Sequence, residues 1–199
     1  MTVGGGTLSE TAYDSAGRVS RQTYGNGNYI DFTYDNLDRI TSKVYNGNSS
    51  KSAVYLYGNT GLISNLIDRF KNTRTRYTYD LANRLVGVRE YSGTQLNGNI
   101  PISSAKYNYE DKTNRLSSIV RNSLLGTQEI GYVYGNTLEG QNPDAVYTVK
   151  QNGIPLLNYA YDPLGRLSGR TLSAINKTQE YSYAQGGYGT DSTTTLVES

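Results

Sequence analysis

The chain contains 199 residues, among them 20 tyrosines but no cysteine, histidine or tryptophan, and it carries a formal net charge of +2. Without cysteine it forms neither disulfides nor thiolate metal sites, and without histidine it lacks the commonest general base and transition-metal ligand. The small and scattered charge gives no case for nucleic-acid binding, and no apolar run approaches the length that crosses a membrane.

Aromatic residues recur in pairs two positions apart. On a strand this spacing places both rings on one face, whereas on a helix the rings diverge by about 200°. Aromatic side chains also favour the pleated surface of a sheet. The pattern therefore predicts a β-strand at each pair. The pairs are Phe32/Tyr34, Tyr55/Tyr57, Tyr77/Tyr79, Tyr107/Tyr109, Tyr132/Tyr134, Tyr159/Tyr161 and Tyr181/Tyr183.

Each pair is followed by an acidic or turn residue, a short gap, and then a basic and an aliphatic residue, as in Tyr79–Leu85 and Tyr161–Leu167. An aspartate at the start of the gap can bond the backbone two residues later and begin a turn. The position before the arginine holds glycine or asparagine in most copies, and aspartate in Asp38, which predicts a positive φ there. Each copy therefore reads as a β-hairpin, with the arginine starting the return strand.

The motif begins eight times, and its anchor tyrosines are 21 to 30 residues apart. A unit repeated at this period predicts a repeat architecture with loops of changing length on a constant framework. Three copies depart from the motif: Leu62 replaces the arginine, one extra residue precedes Arg115, and the copy at Tyr134 loses the motif after its first residues. The structural repeat motif is assigned to Tyr13, Asp14, Gly17, Arg18, Tyr34, Asp35, Arg39, Tyr57, Gly61, Tyr79, Asp80, Asn83, Arg84, Tyr109, Asn114, Arg115, Tyr134, Tyr161, Asp162, Gly165, Arg166 and Tyr183.

Short Asn/Gly clusters occupy the other end of several units and predict the opposite hairpin turns. They lie at residues 25–28, 46–48, 97–99 and 152–153, with a longer version at 68–72. The basic stretch Arg69–Arg76 is interpreted as a solvated hairpin tip rather than a phosphate-binding patch.

The recurring Tyr-x-Tyr-Asp-x-x-Gly-Arg-Leu pattern resembles the YD repeat, also called the RHS (rearrangement hot spot) repeat. Residues 78–85 and 160–167 match it most closely, and the resemblance covers residues 10 to 188. It implies an all-β array of antiparallel hairpins that forms a curved, spiralling sheet, part of an RHS-type shell. In bacterial polymorphic toxins, insecticidal toxin complexes and wall-associated proteins this shell resembles a container for a C-terminal toxin domain, and in teneurins a related shell serves cell adhesion.

The resemblance leads us to expect a flexible segment at residues 1–9, an array of about eight units at 10–188 with the last incomplete, and a polar tail at 189–199. We expect a piece of a longer bacterial protein, secreted or at the cell surface, whose partners are flanking repeats and a C-terminal effector domain. The family's proteolytic end-cap and toxin domain have no match here. The implied role is structural and non-enzymatic, with no catalytic residue, cofactor or metal. Exposed strand edges could also pair with another copy of the chain.

Two other functions stay open from the residues. The first is a carbohydrate- or cell-surface-binding module, because tyrosine rings stack on sugars and Asn or Asp bonds hydroxyls. Its candidates are the tyrosines outside the motif: Tyr24, Tyr29, Tyr45, Tyr91, Tyr147 and Tyr188. The second is a carboxylate hydrolase. Because a catalytic pair should be unique whereas the motif aspartate recurs, its candidates are the acids outside the motif: Glu90, Glu129, Glu139 and Asp144.

Overall fold

The computed structural model describes residues 2–3, 6–97, 100–183 and 194–198, and it consists almost wholly of β-strands. The chain divides into two compact units, Met1–Ala105 and Lys106–Ser199. The predicted glycine and asparagine at positions 98 and 99 lie outside the described residues. No helix in the described ranges has the length and apolarity needed to cross a bilayer.

The first unit contains a short two-stranded sheet, β1 with β2, followed by a run of antiparallel strands in which each neighbour is the next strand in the chain. The strand β11 begins at the end of this unit. The bounds are β1 (Thr2–Val3), β2 (Gly6–Thr7), β3 (Ser9–Tyr13), β4 (Val19–Tyr24), β5 (Tyr29–Tyr34), β6 (Ile40–Tyr45), β7 (Asn48–Tyr57), β8 (Ile63–Asp68), β9 (Thr73–Tyr79), β10 (Leu85–Ser92) and β11 (Ser103–Tyr109).

The second unit repeats the same arrangement from β12 to β18, with one 3-10 helix at Thr137–Glu139. The predicted all-β array of antiparallel hairpins is confirmed. The strand β18 lies inside the predicted C-terminal tail, and the predicted segment boundaries at residues 9 and 188 stay predictions. The bounds are β12 (Leu116–Ser123), β13 (Gly126–Tyr134), β14 (Val146–Gln151), β15 (Ile154–Tyr161), β16 (Leu167–Leu172), β17 (Lys177–Tyr183) and β18 (Thr194–Glu198).

The position before the motif arginine adopts the left-handed backbone that its residue types predict. In each such turn the amide of that residue donates to the carbonyl of the residue that opens the turn, as from Gly17 to Asp14 at 3.0 Å and from Asn83 to Asp80 at 3.0 Å. The φ angles are 78° at Gly17, 59° at Asp38, 82° at Gly61, 62° at Asn83, 58° at Asn114 and 77° at Gly165.

The opposite turns also follow the sequence. Asn46-Gly47 has φ of 48° and 66°, and Asn152-Gly153 has φ of 50° and 81°. Positive φ at both central residues defines the two-residue type I′ hairpin turn, whose twist matches that of the flanking strands. In the longer turn after Asp68, Asn72 takes the left-handed position with φ of 51°.

A β-bulge recurs in the hairpins and was not predicted. The motif tyrosine pairs with the aliphatic residue that follows the arginine. The next residue of the return strand has no partner on the first strand. Tyr34 pairs with Ile40 and Thr33 with Ser42, which leaves Thr41 extra. A bulge bends the strand, increases its twist and disrupts the ladder locally. The same shift occurs at Tyr13, Tyr57, Tyr79, Tyr134 and Tyr161.

Few of the described side chains are fully buried. Tyr91 is the one buried hydrophobic residue among them, at 6% exposure, and most strand residues are half-buried. Because so few side chains are buried, the sheet depends on contacts between neighbouring repeats along its face. The motif residues make these contacts, so the motif is the candidate functional site.

The left-handed turn position is testable in isolation. A Cβ added at Gly165 meets nothing within 4 Å, so Gly165→Ala tests backbone conformation alone. We expect it to lower the free energy of unfolding by roughly 1–2 kcal/mol, measured by urea denaturation. The control is Gly169→Ala in β16, where the Cβ makes an ordinary contact 3.5 Å from the Gln179 carbonyl. Equal losses in the two variants would contradict the assigned turn.

Candidate functional site

The motif aspartate organises its own turn. One carboxylate oxygen of Asp35 accepts from the amides of Leu37 and Arg39 at 2.9 and 3.1 Å, and the other accepts from the Arg39 Nε at 2.7 Å. These bonds explain why the acid precedes the arginine by four residues. They recur in the turns of Asp14, Asp80 and Asp162.

The motif arginine reaches beyond its own hairpin. With its Nε held by the aspartate, the guanidinium lies over the ring of the motif tyrosine in the following repeat. The distance from the Arg39 Cζ to the ring centre of Tyr57 is 4.2 Å, within the range of a cation–π contact. The same contact joins Arg18 to Tyr34 at 4.6 Å and Arg166 to Tyr183 at 4.2 Å.

The same tyrosine also bonds the backbone of the preceding repeat. The Tyr57 hydroxyl donates to the Ile40 carbonyl at 2.7 Å, just before the bulged residue Thr41. The tyrosine thus supplies a donor where the bulge interrupts the ladder. We call the acid, the arginine, the next repeat's tyrosine and this carbonyl the inter-repeat clasp. The equivalent hydroxyl bonds are Tyr34 to Val19 (2.8 Å), Tyr79 to Ile63 (3.0 Å), Tyr134 to Leu116 (2.9 Å), Tyr161 to Val146 (2.8 Å) and Tyr183 to Leu167 (2.7 Å).

The clasp lowers the pKa of its carboxylates, whereas burial raises the pKa of three of its phenols. The backbone hydrogen bond from Arg18 is the largest influence that lowers the pKa of Asp14, and the side-chain hydrogen bond from Arg39 has this role for Asp35. For Asp80 and Asp162, partial burial opposes the shift, but hydrogen bonds from the arginine still lower the pKa. Burial raises the pKa of the Tyr57, Tyr134 and Tyr161 hydroxyls.

The acidic copy at Glu110 adapts to its extra residue. The longer Glu110 side chain accepts from the Arg115 Nε at 2.8 Å and from the Thr113 hydroxyl, and Arg115 lies 4.4 Å from the Tyr134 ring centre. The Thr113 hydroxyl and then Arg115 lower the pKa of Glu110. The motif tyrosine of this copy, Tyr109, is the last residue of β11.

Two degenerate copies retain only part of the clasp. Where Leu62 replaces the arginine, the backbone turn persists and Tyr79 still bonds the Ile63 carbonyl. In the copy at Tyr134, glycine occupies the acid position, because a Cβ on Gly135 would lie 2.1 Å from the Asn142 carbonyl oxygen. The hydroxyl bond therefore persists in copies from which the acid and the arginine are missing.

The non-motif acids have different surroundings. Glu90 belongs to the first unit and accepts from the Ser103 hydroxyl at 3.2 Å, whereas Asp144 is 88% exposed in the second. Glu139 accepts from the side chains of Asn136 and Gln141 beside the 3-10 helix. Glu129 lines a separate cavity. Within the described ranges, no group of three or more acidic residues is arranged to hold a metal ion.

Three of the non-motif tyrosines do lie together. Tyr24, Tyr29 and Tyr45 line one cavity at the turn end of the first unit. Phe70, from the turn between β8 and β9, lines the same cavity and is 72% exposed. The period-2 pattern could not identify this cluster, because Phe70 lies in a turn.

The interpretation of Arg69–Arg76 as a solvated tip is wrong for Arg74, which is 4% exposed. Its guanidinium lies 4.0 Å from the ring centre of Tyr91 and donates to the Leu96 carbonyl at 3.0 Å, so the ring and the loop exclude solvent from it. Tyr91 is buried by the same contact and is not the exposed ligand surface considered above. Tyr147 packs against Tyr161, with ring centres 5.0 Å apart, and Tyr188 lies outside the described residues.

Comparison with solved structures finds similar chains with low sequence identity. "Crystal Structure of TcdB2-TccC3-Cdc42" aligns over 89% of this chain and 14% of its own, with 13% identity and a TM-score of 0.36. "Crystal Structure of TcdB2-TccC3" aligns over 88% and 11%, with 16% identity and a TM-score of 0.38. A porin-like protein from Bacteroides uniformis ATCC 8492 aligns over 96% and 87%, with 12% identity and a TM-score of 0.39. All three TM-scores are below 0.5, too low to assign a function by structural likeness.

No curated protein sequence matches the chain. The chain spans about a seventh or less of the TcdB2-TccC3 chains. A family model does match: residues 13–50 fit the RHS repeat, and this segment contains the clasp that joins Asp14 and Arg18 to Tyr34. The resemblance inferred from the Tyr-Asp motif is thus confirmed over residues 13–50, which match the RHS repeat.

Proposed function

We propose that this chain is a non-enzymatic structural segment of a secreted or cell-surface RHS-repeat protein, and that its hairpins form part of a β-shell wall that encloses or displays an effector domain. The observation that carries the proposal is the inter-repeat clasp. The acid, arginine and tyrosine of the motif are engaged in turn formation and repeat-to-repeat contact, as Asp35, Arg39 and Tyr57 illustrate. Residues committed to this role hold a strip of sheet together, and their recurrence does not suit a single reaction centre.

Protection of an effector tests the enclosing role. In the parent protein, deletion of residues 10–188 should expose a downstream effector domain to added protease, whereas the intact protein should protect it. Mass spectrometry of the fragments measures the difference. Equal cleavage of the effector in both proteins would contradict enclosure. It would not contradict the structural role of the motif, which the measurements of unfolding free energy test separately.

The tyrosine hydroxyl should stabilise the array. Tyr57→Phe removes the bond to the Ile40 carbonyl and keeps the ring, so we expect it to lower the free energy of unfolding by about 1 kcal/mol in urea. Tyr13→Phe is the matched control, because Tyr13 is 63% exposed and its hydroxyl makes no hydrogen bond with the described residues. A loss no larger for Tyr57→Phe than for the control would refute a stabilising bond.

Two substitutions at Asp35 separate its two tasks. Asp35→Asn retains a side-chain oxygen that can accept from the turn amides but loses the charged pairing with Arg39. Asp35→Ala loses both. We expect thermal unfolding to rank wild type as most stable, Asn next and Ala least. If Ala equals Asn, the amide bonds contribute nothing, and the assigned turn-forming role of the acid is wrong.

The clasp also predicts acid sensitivity. The folded pKa of Asp14, Asp35, Asp80 and Asp162 lies below the usual 3.8, so their ionised forms favour the folded state. This stabilisation is complete above the unfolded pKa and is lost as the pH falls through the folded pKa. The free energy of unfolding should therefore decrease below about pH 4. Urea titrations of wild type and Asp80→Asn measure it; an identical acid-side slope in both would exclude a contribution from Asp80.

A further inference from the structure

The cavity beside the Asn46-Gly47 turn has a volume of about 670 Å³ and lies wholly within the first unit. This volume falls in the usual range for small-molecule sites. The turn itself shapes one wall. A Cβ on Gly47 would lie 2.9 Å from the Tyr29 hydroxyl, so glycine permits that ring to pack against the turn. Asn46 accepts from the Tyr29 amide at 2.7 Å and donates to the Asn28 side chain at 2.8 Å, which joins the two neighbouring turns.

Three of the four aromatic rings that line this cavity are exposed, and none of the four belongs to the clasp; the fourth, Tyr29, is half-buried, with the Arg21 guanidinium 4.0 Å from its ring centre. Tyr24 is 45% exposed, Tyr45 46% and Phe70 72%. The motif tyrosines with clasp bonds, by contrast, have their hydroxyls on backbone carbonyls and, in four copies, an arginine over the ring. The cavity therefore has three ring surfaces available to a ligand, contributed by two strand ends and one turn.

Polar groups beside the rings have hydrogen-bonding capacity left. The Asn28 side-chain amide nitrogen and the Lys51 ammonium make no hydrogen bond or ion pair with the described residues, although both side chains line the cavity. Asp68 accepts from the Lys71 amide at 3.0 Å with one oxygen, and its other oxygen is 4.0 Å from the Lys71 ammonium. Donors and an acceptor thus belong to residues that line the same cavity as the rings.

The charges select among ligand classes. Lys51 and Asp68 line the cavity with opposite charges, so it has no excess positive charge of the kind that holds phosphates or nucleic acid. A wholly apolar ligand would leave the amide, ammonium and carboxylate unpaired. A pyranose fits both features, because it presents an apolar C–H face to a ring and hydroxyl groups at its edge. We propose that this cavity binds a neutral oligosaccharide, with Tyr24, Tyr45 and Phe70 as stacking surfaces and Asn28, Lys51 and Asp68 as hydroxyl partners.

The two phenylalanines of the chain provide a direct assay. Incorporation of 4-fluorophenylalanine gives one ¹⁹F signal from Phe70 in the cavity and one from Phe32. Phe32 lies in β5, and its ring centre is 5.9 Å from the Lys43 ammonium. Cellohexaose, maltohexaose and chitohexaose are titrated to millimolar concentration, with a heparin hexasaccharide as the anionic comparison. A saturable shift of the Phe70 signal with at least one neutral sugar, while Phe32 stays fixed, is the expected result. No shift with any neutral sugar, or a shift with heparin alone, would overturn the proposal.

Matched variants locate the binding. Tyr45→Ala and Tyr24→Ala should each weaken binding of the active sugar by roughly two- to twelvefold, the range for loss of one aromatic contact. Tyr13→Ala, an exposed tyrosine outside the cavity, should leave the affinity unchanged. The unchanged Phe32 signal verifies that each variant is folded. Equal affinity in Tyr45→Ala, Tyr24→Ala and Tyr13→Ala would place the sugar elsewhere and refute this site.

Discussion

The inter-repeat clasp, in which a motif tyrosine bonds a backbone carbonyl of the preceding repeat and packs against that repeat's arginine, is the contact on which the array depends. A sheet that buries few side chains completely cannot rely on a dry core, and its strands must be held by contacts along the sheet. Tyrosine suits this position because its ring covers apolar surface while its hydroxyl bonds a carbonyl. The bond to Ile63 persists where Leu62 has removed the arginine, so the hydroxyl is the most constant part of the clasp.

The acid and the arginine of one turn hold the tyrosine of the next repeat by its ring. Asp35 accepts from the turn amides and from the Arg39 guanidinium, which lies over the Tyr57 ring. One carboxylate thus couples a local turn to a contact with the next hairpin. Ion pairs at such exposure contribute little by themselves. Their value here is positional, because they orient a side chain that then packs on its neighbour.

The strands, the turns and their left-handed residues could be predicted from the sequence, because period-2 aromatics and Asn or Gly in fixed positions are local signals. The bulge at Thr41 and the hydroxyl bond from Tyr57 to Ile40 could not, because both depend on how one hairpin registers on the next. Burial of Arg74 beneath a loop and against Tyr91 is likewise a tertiary contact. The cavity at Phe70 could not be predicted from the sequence, because its rings come from separate strands and turns that meet only in the folded sheet.

A double-mutant cycle on the clasp tests the central claim most directly. Arg39→Met and Tyr57→Leu are measured singly and together by urea denaturation, beside a control cycle that pairs Arg39→Met with Tyr91→Leu, because the Tyr91 ring contacts Arg74 instead. Coupling between Arg39 and Tyr57 of about 0.5–1 kcal/mol, with none in the control cycle, is the predicted result. Additive losses for Arg39 and Tyr57 would show that the repeats are not joined through this contact and would contradict the account.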